Sequence, residues 1–215
     1  MRIDADEVHL WVARPPLVDL SRARALLPDD EIARAARFRF EKNQREHLVT
    51  RALLRSVLSR YRPEVEPRAW RWKLGEHGKP FVDPPCGIFF NVSNHPEMVV
   101  CAIAQTEGVG VDVEPIARGP EIVDIADTVF APEEIAGLTD DRAVTFWTVK
   151  EAWIKALGLG FSAPVREMVV DLTGAGPAVP GAFASALDVD GHRIGVVVLG
   201  VEQARVRLQA ATFAG

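Results

Sequence analysis

The sequence predicts an α+β protein, a pseudodimer of two similar α+β halves with a ligand groove between them. Three observations carry this prediction. The order strand, helices, hairpin strands occurs twice along the chain. Each half holds one long helical stretch. A short echo, PDDEIA from Pro28 and PEEIA from Pro132, opens the helical part each time. The halves divide at about residues 1–105 and 106–215.

Taken in order, EVHLWVA (7–13) reads as a strand. Residues 28–38 open a helix, with proline near the first turn and acids beside the positive end of the helix dipole. A longer helix covers about 42–61 and ends before Pro63. The runs RAWRWKL, IFFNVS and MVVCAIA read as strands. In the second half GVGVDVE is a strand, and residues 131–138 open a helix. The long helix is 142–157, stopped by Gly158. VREMVVDLT, FASALDV and RIGVVVLGV read as closing strands.

Composition narrows the function classes. Of 215 residues, 48% are apolar and 26% charged, an ordinary balance for one large or two small globular units. A net charge of −5 argues against bulk nucleic-acid binding. No apolar run reaches membrane-spanning length, and the first residues lack a secretory pattern. Cys86 and Cys101 form neither a metal pattern nor a disulfide framework. The expectation is a cytoplasmic protein with no nucleic-acid or membrane partner. A duplicated chain closes its own site, so a monomer is expected.

Chemistry concentrates in two fragments. In GVGVDVEP, Asp112 and Glu114 sit two apart on a strand, so both carboxylates share a face. In FWTVKEAWIKALG, Glu151 and Lys155 lie one helical turn apart, and Lys150 falls in the apolar sector. The competing readings are a solvated acidic face for the strand and a structural ion pair for Lys150. Three carboxylates with lysines, brought together by folding, suit a hard divalent cation and a phosphorylated ligand. No dinucleotide fingerprint, P-loop or nucleophile elbow is present. The turn HGKPFV holds Lys79 on a short, stiff loop. FNVSNH ends a strand with Ser93, Asn94 and His95, groups able to bond a phosphate or to satisfy a turn. Arg34, Arg37, Arg39, Lys42, Arg45, Arg51 and Arg55 crowd the first-half helices. Arginine forks there suit a second phosphate.

In sequence order, G-K-P, F-N-x-S, G-x-D-x-E and W-x-x-K-E-A-x-x-K-x-x-G resemble the 4′-phosphopantetheinyl transferases of the long, monomeric, surfactin-synthetase-activating type. The resemblance implies the duplicated fold and transfer of the 4′-phosphopantetheine arm of coenzyme A to a serine of an apo acyl or peptidyl carrier protein. The other product would be adenosine 3′,5′-bisphosphate. Asp112, Glu114 and Glu151 would hold Mg²⁺ against the pyrophosphate. Lys155 would neutralise phosphate charge, with Lys150 in support, and Lys79 and Ser93 would hold phosphates from the first half. Arg34, Arg37 and Arg45 would meet the 3′-phosphate and adenine end. Glu151 is the first candidate to take the serine proton. One departure stands out. The family often has histidine directly after the serine of F-N-x-S, where this chain has Asn94, with His95 following. Alternative functions are a catalytically impaired coenzyme A-binding module and a Mg²⁺-dependent nucleotide phosphohydrolase.

Overall fold

The computed structural model describes residues 1–213, so positions 214–215 of the expected second half lie outside it. Strand β1 (Glu7–Ala13) is followed by short helices α1 (Leu20–Ala25) and α2 (Asp29–Ala35) and by the long α3 (Glu41–Tyr61). A small hairpin, β2 (Trp72–Leu74) and β3 (Pro80–Val82), precedes β4 (Phe89–His95) and β5 (Met98–Ala104). Then come β6 (Val109–Pro115), the short α4 (Gly119–Asp124), α5 (Ala126–Val129) and α6 (Pro132–Ile135), and the long α7 (Asp140–Leu157). Strands β7 (Ala182–Val189), β8 (His192–Leu199) and β9 (Arg205–Ala210) complete the described chain.

Two sheets stack face to face, and a long helix covers the outer side of each. One sheet has the order β4–β5–β1–β9 and the other β6–β8–β7. Alternation along the strands builds the layers. Val8 and Leu10 of β1 join Val100 and Ala102 of β5 in the core between the sheets, with Val109, Val111 and Val113 of β6 opposite. Trp11, Cys101 and Ile103 point the other way, into the core under α3. All seven residues of β5 are buried, because the strand lies between a helix and a second sheet.

On β6 the alternation leaves Gly110, Asp112 and Glu114 on the face opposite the three valines, the face that meets α7. Two glycines let the helix approach. A Cβ on Gly110 would lie 1.9 Å from the Ala152 carbonyl oxygen, and one on Gly195 of β8 would lie 2.4 Å from that of Thr148. Backbone therefore meets backbone, and only glycine fits. Thr139 caps the start of α7 by accepting from the Arg142 amide at 3.3 Å. Gly158 ends it in the left-handed conformation at φ 70°, as its sequence position indicates.

The structure adds the short elements α1, β3, α4 and α5 to the sequence reading and departs from its strands as follows. VREMVVDLT forms no strand; its regular pairing is one isolated bridge, Asp171 with Ala178. Its Val170 amide donates to the Glu134 carboxylate at 2.8 Å, so a side chain meets a need that a neighbouring strand would otherwise fill. Strand β9, not expected at all, crosses back to pair parallel with β1, placing Leu208 beside Leu10. The strand expected in RAWRWKL shrinks to three residues, preceded by a helical turn at Pro67–Ala69.

Gly110→Ala is expected to lower stability by about 1–3 kcal/mol, because neither neighbouring backbone can yield. Urea unfolding checks this; an unchanged midpoint would mean that α7 sits further from β6 than described.

Candidate active site

The close approach of α7 brings its polar edge against β6. Asp112 is buried, at 5% exposure. Its Oδ1 accepts from Lys155 Nζ at 2.6 Å and from Ser93 Oγ at 2.8 Å. Lys155 also donates to Ser93 Oγ at 3.0 Å. Three elements thus meet at one carboxylate oxygen: β4, β6 and α7. The register between β4 and β6 is pinned by Asn91, whose side-chain oxygen accepts from the Val111 amide at 2.9 Å. The other oxygen, Asp112 Oδ2, is buried without a hydrogen-bond partner. A buried carboxylate oxygen left bare is costly, and a cation would remove the cost.

Glu151 is half-buried nearby. Its carboxyl pKa is pushed up by burial, then by the charge of Asp112, against the pull of Lys155, with Glu114 adding to the rise. Glu114 lies one pleat further along β6. Its Oε1 accepts from Trp147 Nε1 at 3.3 Å, and its Oε2 pairs with Arg118 Nη1 at 2.7 Å. Glu151 thus lies within the electrostatic reach of both strand carboxylates. Among the described residues, however, no three His, Cys, Asp or Glu side chains form a ready-made metal cage. Arg118 and Trp147 engage Glu114, while Lys155 and Ser93 engage one side of Asp112.

A cleft of about 410 Å³ opens onto this cluster, walled by Pro80, Val92, Trp147, Glu151, Ile154 and Lys155. A larger cavity, about 650 Å³, lies beyond the Gly78–Lys79 turn among Phe81, Val82, Ile88 and Phe89. It is mostly apolar and lacks the carboxylate–lysine cluster, which only the smaller cleft of the two meets, through Glu151 and Lys155. A third recess, about 240 Å³, sits at the start of α3 and is lined by Phe38, Asn43, Glu46, His47, Thr50 and Asn94. His47 was not singled out by sequence. Its Nε2 is buried without a partner, and its pKa is lowered by burial and then by Arg51 and Arg34.

Several residues expected at a ligand are occupied elsewhere. Lys79 donates to the carbonyls of Glu107, Val109 and Ala156 at 2.9–3.1 Å, strapping the G-K-P turn to β6 and to the end of α7. Burial pulls its pKa down to about 8, against the charge of Glu107. Lys150 points away from the cluster. It pairs with buried Glu134 at 2.5 Å and donates to the carbonyls of Val129 and Val165. The reason is helical geometry: Lys150 and Glu151 lie about 100° apart, so one faces the core and the other the cleft. The apolar position of Lys150 fitted either a structural ion pair or support for the cleft carboxylates, and the ion pair with Glu134 is the one found. Arg45 donates to the carbonyls of Pro15 and Val18, and Arg51 and Arg55 are held by Glu31 and stacked on Trp72. Arg34 and Arg37 remain exposed and, among the described residues, make no ion pair or side-chain hydrogen bond. Asn94 donates to Glu46, and His95 meets His192 with tilted rings 5.3 Å apart; neither bonds Asp112.

Lys79→Met leaves three carbonyls without their donor, and a loss of about 1–3 kcal/mol in urea unfolding is expected. Glu134→Ala strands the Lys150 ammonium in the core and also removes the acceptor for the Ala131 and Val170 amides. Its expected loss is about 3–5 kcal/mol. Equal stability of both variants to the parent protein would remove the structural roles assigned to these lysines.

Comparison with known proteins gives a consistent picture. Residues 108–191 match the model of the 4′-phosphopantetheinyl transferase superfamily, and residues 11–106 match that of the 4′-phosphopantetheinyl transferase N-terminal region. The chain is 34% identical over 188 residues to the 4′-phosphopantetheinyl transferase HetI of Nostoc sp., covering 81% of this chain and 78% of that protein. It is 33% identical over 164 residues to a phosphopantetheinyl transferase of Thraustochytrium sp., covering 66% and 57%. It is 27% identical over 158 residues to the 4′-phosphopantetheinyl transferase Sfp of Bacillus subtilis, covering 70% and 69%.

Proposed function

The chain belongs to the 4′-phosphopantetheinyl transferase superfamily, and from that membership we propose that it moves the 4′-phosphopantetheine arm of coenzyme A to a serine of an apo acyl or peptidyl carrier protein, with Mg²⁺, releasing adenosine 3′,5′-bisphosphate. The observation that carries the proposal is the divided environment of Asp112: one oxygen bound by Lys155 and Ser93, the other buried and bare. That bare oxygen, beside two more carboxylates, fits a hard cation with oxygen ligands. Asp112, Glu114 and Glu151 would hold it, and bound there it would offset charge on the pyrophosphate oxygens.

The chain's own groups account for the rest. Lys155, which lines the cleft with two of its three donors engaged, stands ready to bond the pyrophosphate, and Ser93 holds that lysine beside Asp112. As the carrier serine attacks the β-phosphorus, the bond to the bridging oxygen breaks, and Lys155 offsets the charge gathering on the departing phosphate. The serine proton passes to Glu151, whose raised pKa suits an acceptor. Trp147 and Ile154 wall the cleft and exclude water from the pantetheine end. The 3′-phosphate is assigned to the recess at the start of α3, with His47 in it and Arg34 close by. Arg37 and Lys42 are further cations of that region that make no ion pair or side-chain hydrogen bond among the described residues. Lys79, Lys150 and Arg45 are read as scaffold, because their donors are already bound. Asn94 lines that recess and so faces the 3′-phosphate end, while His95 keeps no direct part in the transfer on this reading.

We also read the chain as a pseudodimer divided near 105/106. The strand orders β4–β5–β1 and β7–β8–β6 are equivalent, and α3 and α7 occupy matching outer layers. The two family models meet between residues 106 and 108, which supports the same boundary.

Intact mass of apo carrier proteins after incubation with this protein, coenzyme A and Mg²⁺ tests the function. A phosphopantetheine-sized gain that EDTA prevents is expected; no gain on any carrier would overturn it. Asp112→Asn and Glu151→Gln should each lower turnover by about 10²–10³-fold in folded protein. The lowered pKa of His47 makes it neutral in the free protein at neutral pH, and a bound phosphate favours the imidazolium. Binding therefore takes up a proton and strengthens as pH falls. The affinity ratio of coenzyme A to 3′-dephospho-coenzyme A should accordingly rise from about pH 8 to about pH 6, and His47→Ala should flatten it. Calorimetry checks both.

A further inference from the structure

Arg118 is absent from every motif that identifies the family in this chain, yet it forms an ion pair with Glu114, one of the three carboxylates. Its Nη1 lies 2.7 Å from Glu114 Oε2, one helical-type step of four residues away. Its Nε reaches Glu121 Oε2 at 3.2 Å. Trp147 Nε1 holds the other oxygen, Glu114 Oε1, at 3.3 Å. Both oxygens of Glu114 are therefore taken, whereas Asp112 has one oxygen bare. Glu114 is 15% exposed and Arg118 37%. The pair is thus screened less than a fully solvent-exposed one, although Arg118 retains room to swing outward.

We infer that Arg118 is a resident counter-ion for Glu114, holding that carboxylate in place when the divalent cation is absent and competing with the cation for it. The inference rests on the metal-site reading above. Its physical basis is charge and geometry. A cation on Glu114 must either displace the guanidinium from Oε2 or share the carboxylate with it at close range, and two like charges so placed repel. Trp147 bears no charge, so it keeps Glu114 aimed while contributing nothing to the repulsion. Glu121 gives Arg118 a place to go: with Nε already on Glu121, a small rotation moves the remaining donors there. Cation binding then exchanges one ion pair for another instead of stranding a guanidinium. The competition sets the affinity for the cation low enough that ligand phosphates, and not the protein alone, complete the site. Arg118 is a positioning residue on this account, acting through Glu114 and touching no reacting atom.

The decisive measurement is Mn²⁺ binding, followed by the electron paramagnetic resonance signal of the free ion, with and without coenzyme A. Arg118→Gln should tighten Mn²⁺ about three- to tenfold, the range set by a partly exposed ion pair. It should also lower the Mg²⁺ concentration for half-maximal transfer by a similar factor. Arg118→Lys, which keeps the charge, should stay near the parent value. In a Glu114→Gln background, Arg118→Gln should have no effect, because the carboxylate being contested is gone. Glu121→Gln offers an independent check that spares Arg118: with its alternative partner weakened, Arg118 stays on Glu114, and Mn²⁺ should bind more weakly. Unchanged or weaker binding by Arg118→Gln, or tighter binding by Glu121→Gln, would overturn the inference. Failure of the parent protein itself to bind Mn²⁺, alone or with coenzyme A, would instead overturn the metal-site reading on which it rests.

Discussion

The contact between α7 and the β6–β8 pair is the constraint on which the rest depends. It is a backbone-to-backbone contact, permitted by the absence of a side chain at Gly110 and Gly195. Any Cβ there would push the helix outward. Lys155 reaches Asp112 at 2.6 Å only because the helix is that close. The same approach puts Trp147 against Glu114 and Glu151 into the shared field of Asp112 and Glu114. A packing feature thereby becomes an electrostatic one. Close-packed interiors transmit displacements instead of absorbing them, so the site inherits the rigidity of the sheet.

Around this contact the lysines divide the labour. Three lysines belong to motifs of the family, and only Lys155 faces the cleft carboxylates. Lys79 fastens the G-K-P turn to β6 and to the last turn of α7, where a cation also suits the negative end of the helix dipole. Lys150 neutralises Glu134 under the other side of α7, and Glu134 in turn caps Ala131 and receives Val170. Both structural lysines hold α7 in its position, one at its end and one at its middle. Loss of either would reach the site through the helix, which separates their expected phenotype, instability, from that of Asp112 or Glu151, inactivity in folded protein.

How far the sequence foretold this follows from the range of each interaction. Local periodicity revealed that Asp112 and Glu114 share a strand face and that Glu151 and Lys155 share a helix face, and the order of the motifs pointed to the family. Gly158 as the helix stop was equally legible. What stayed hidden depends on partners far along the chain. Lys79 finds Ala156, 77 residues away, and β9 pairs with β1 across almost the whole described length. The short alternation V-R-L-Q in β9 is too brief to read as a strand without its partner. His47 was passed over because a single histidine on a mostly polar helix start carries no pattern. Its unpaired, buried nitrogen becomes informative only once the recess around it is seen.

The central claim is that the pyrophosphate of coenzyme A and a divalent cation meet at the bare oxygen of Asp112, between Ser93 and Lys155 on one side and Glu151 on the other. A crystal structure with coenzyme A and Mn²⁺ tests it most directly, through the anomalous signal of the metal. The account predicts a metal peak on Asp112 Oδ2, with the pyrophosphate within reach of Lys155 Nζ. A peak elsewhere, or a pyrophosphate bound in the larger cavity beyond the Gly78–Lys79 turn, would contradict it.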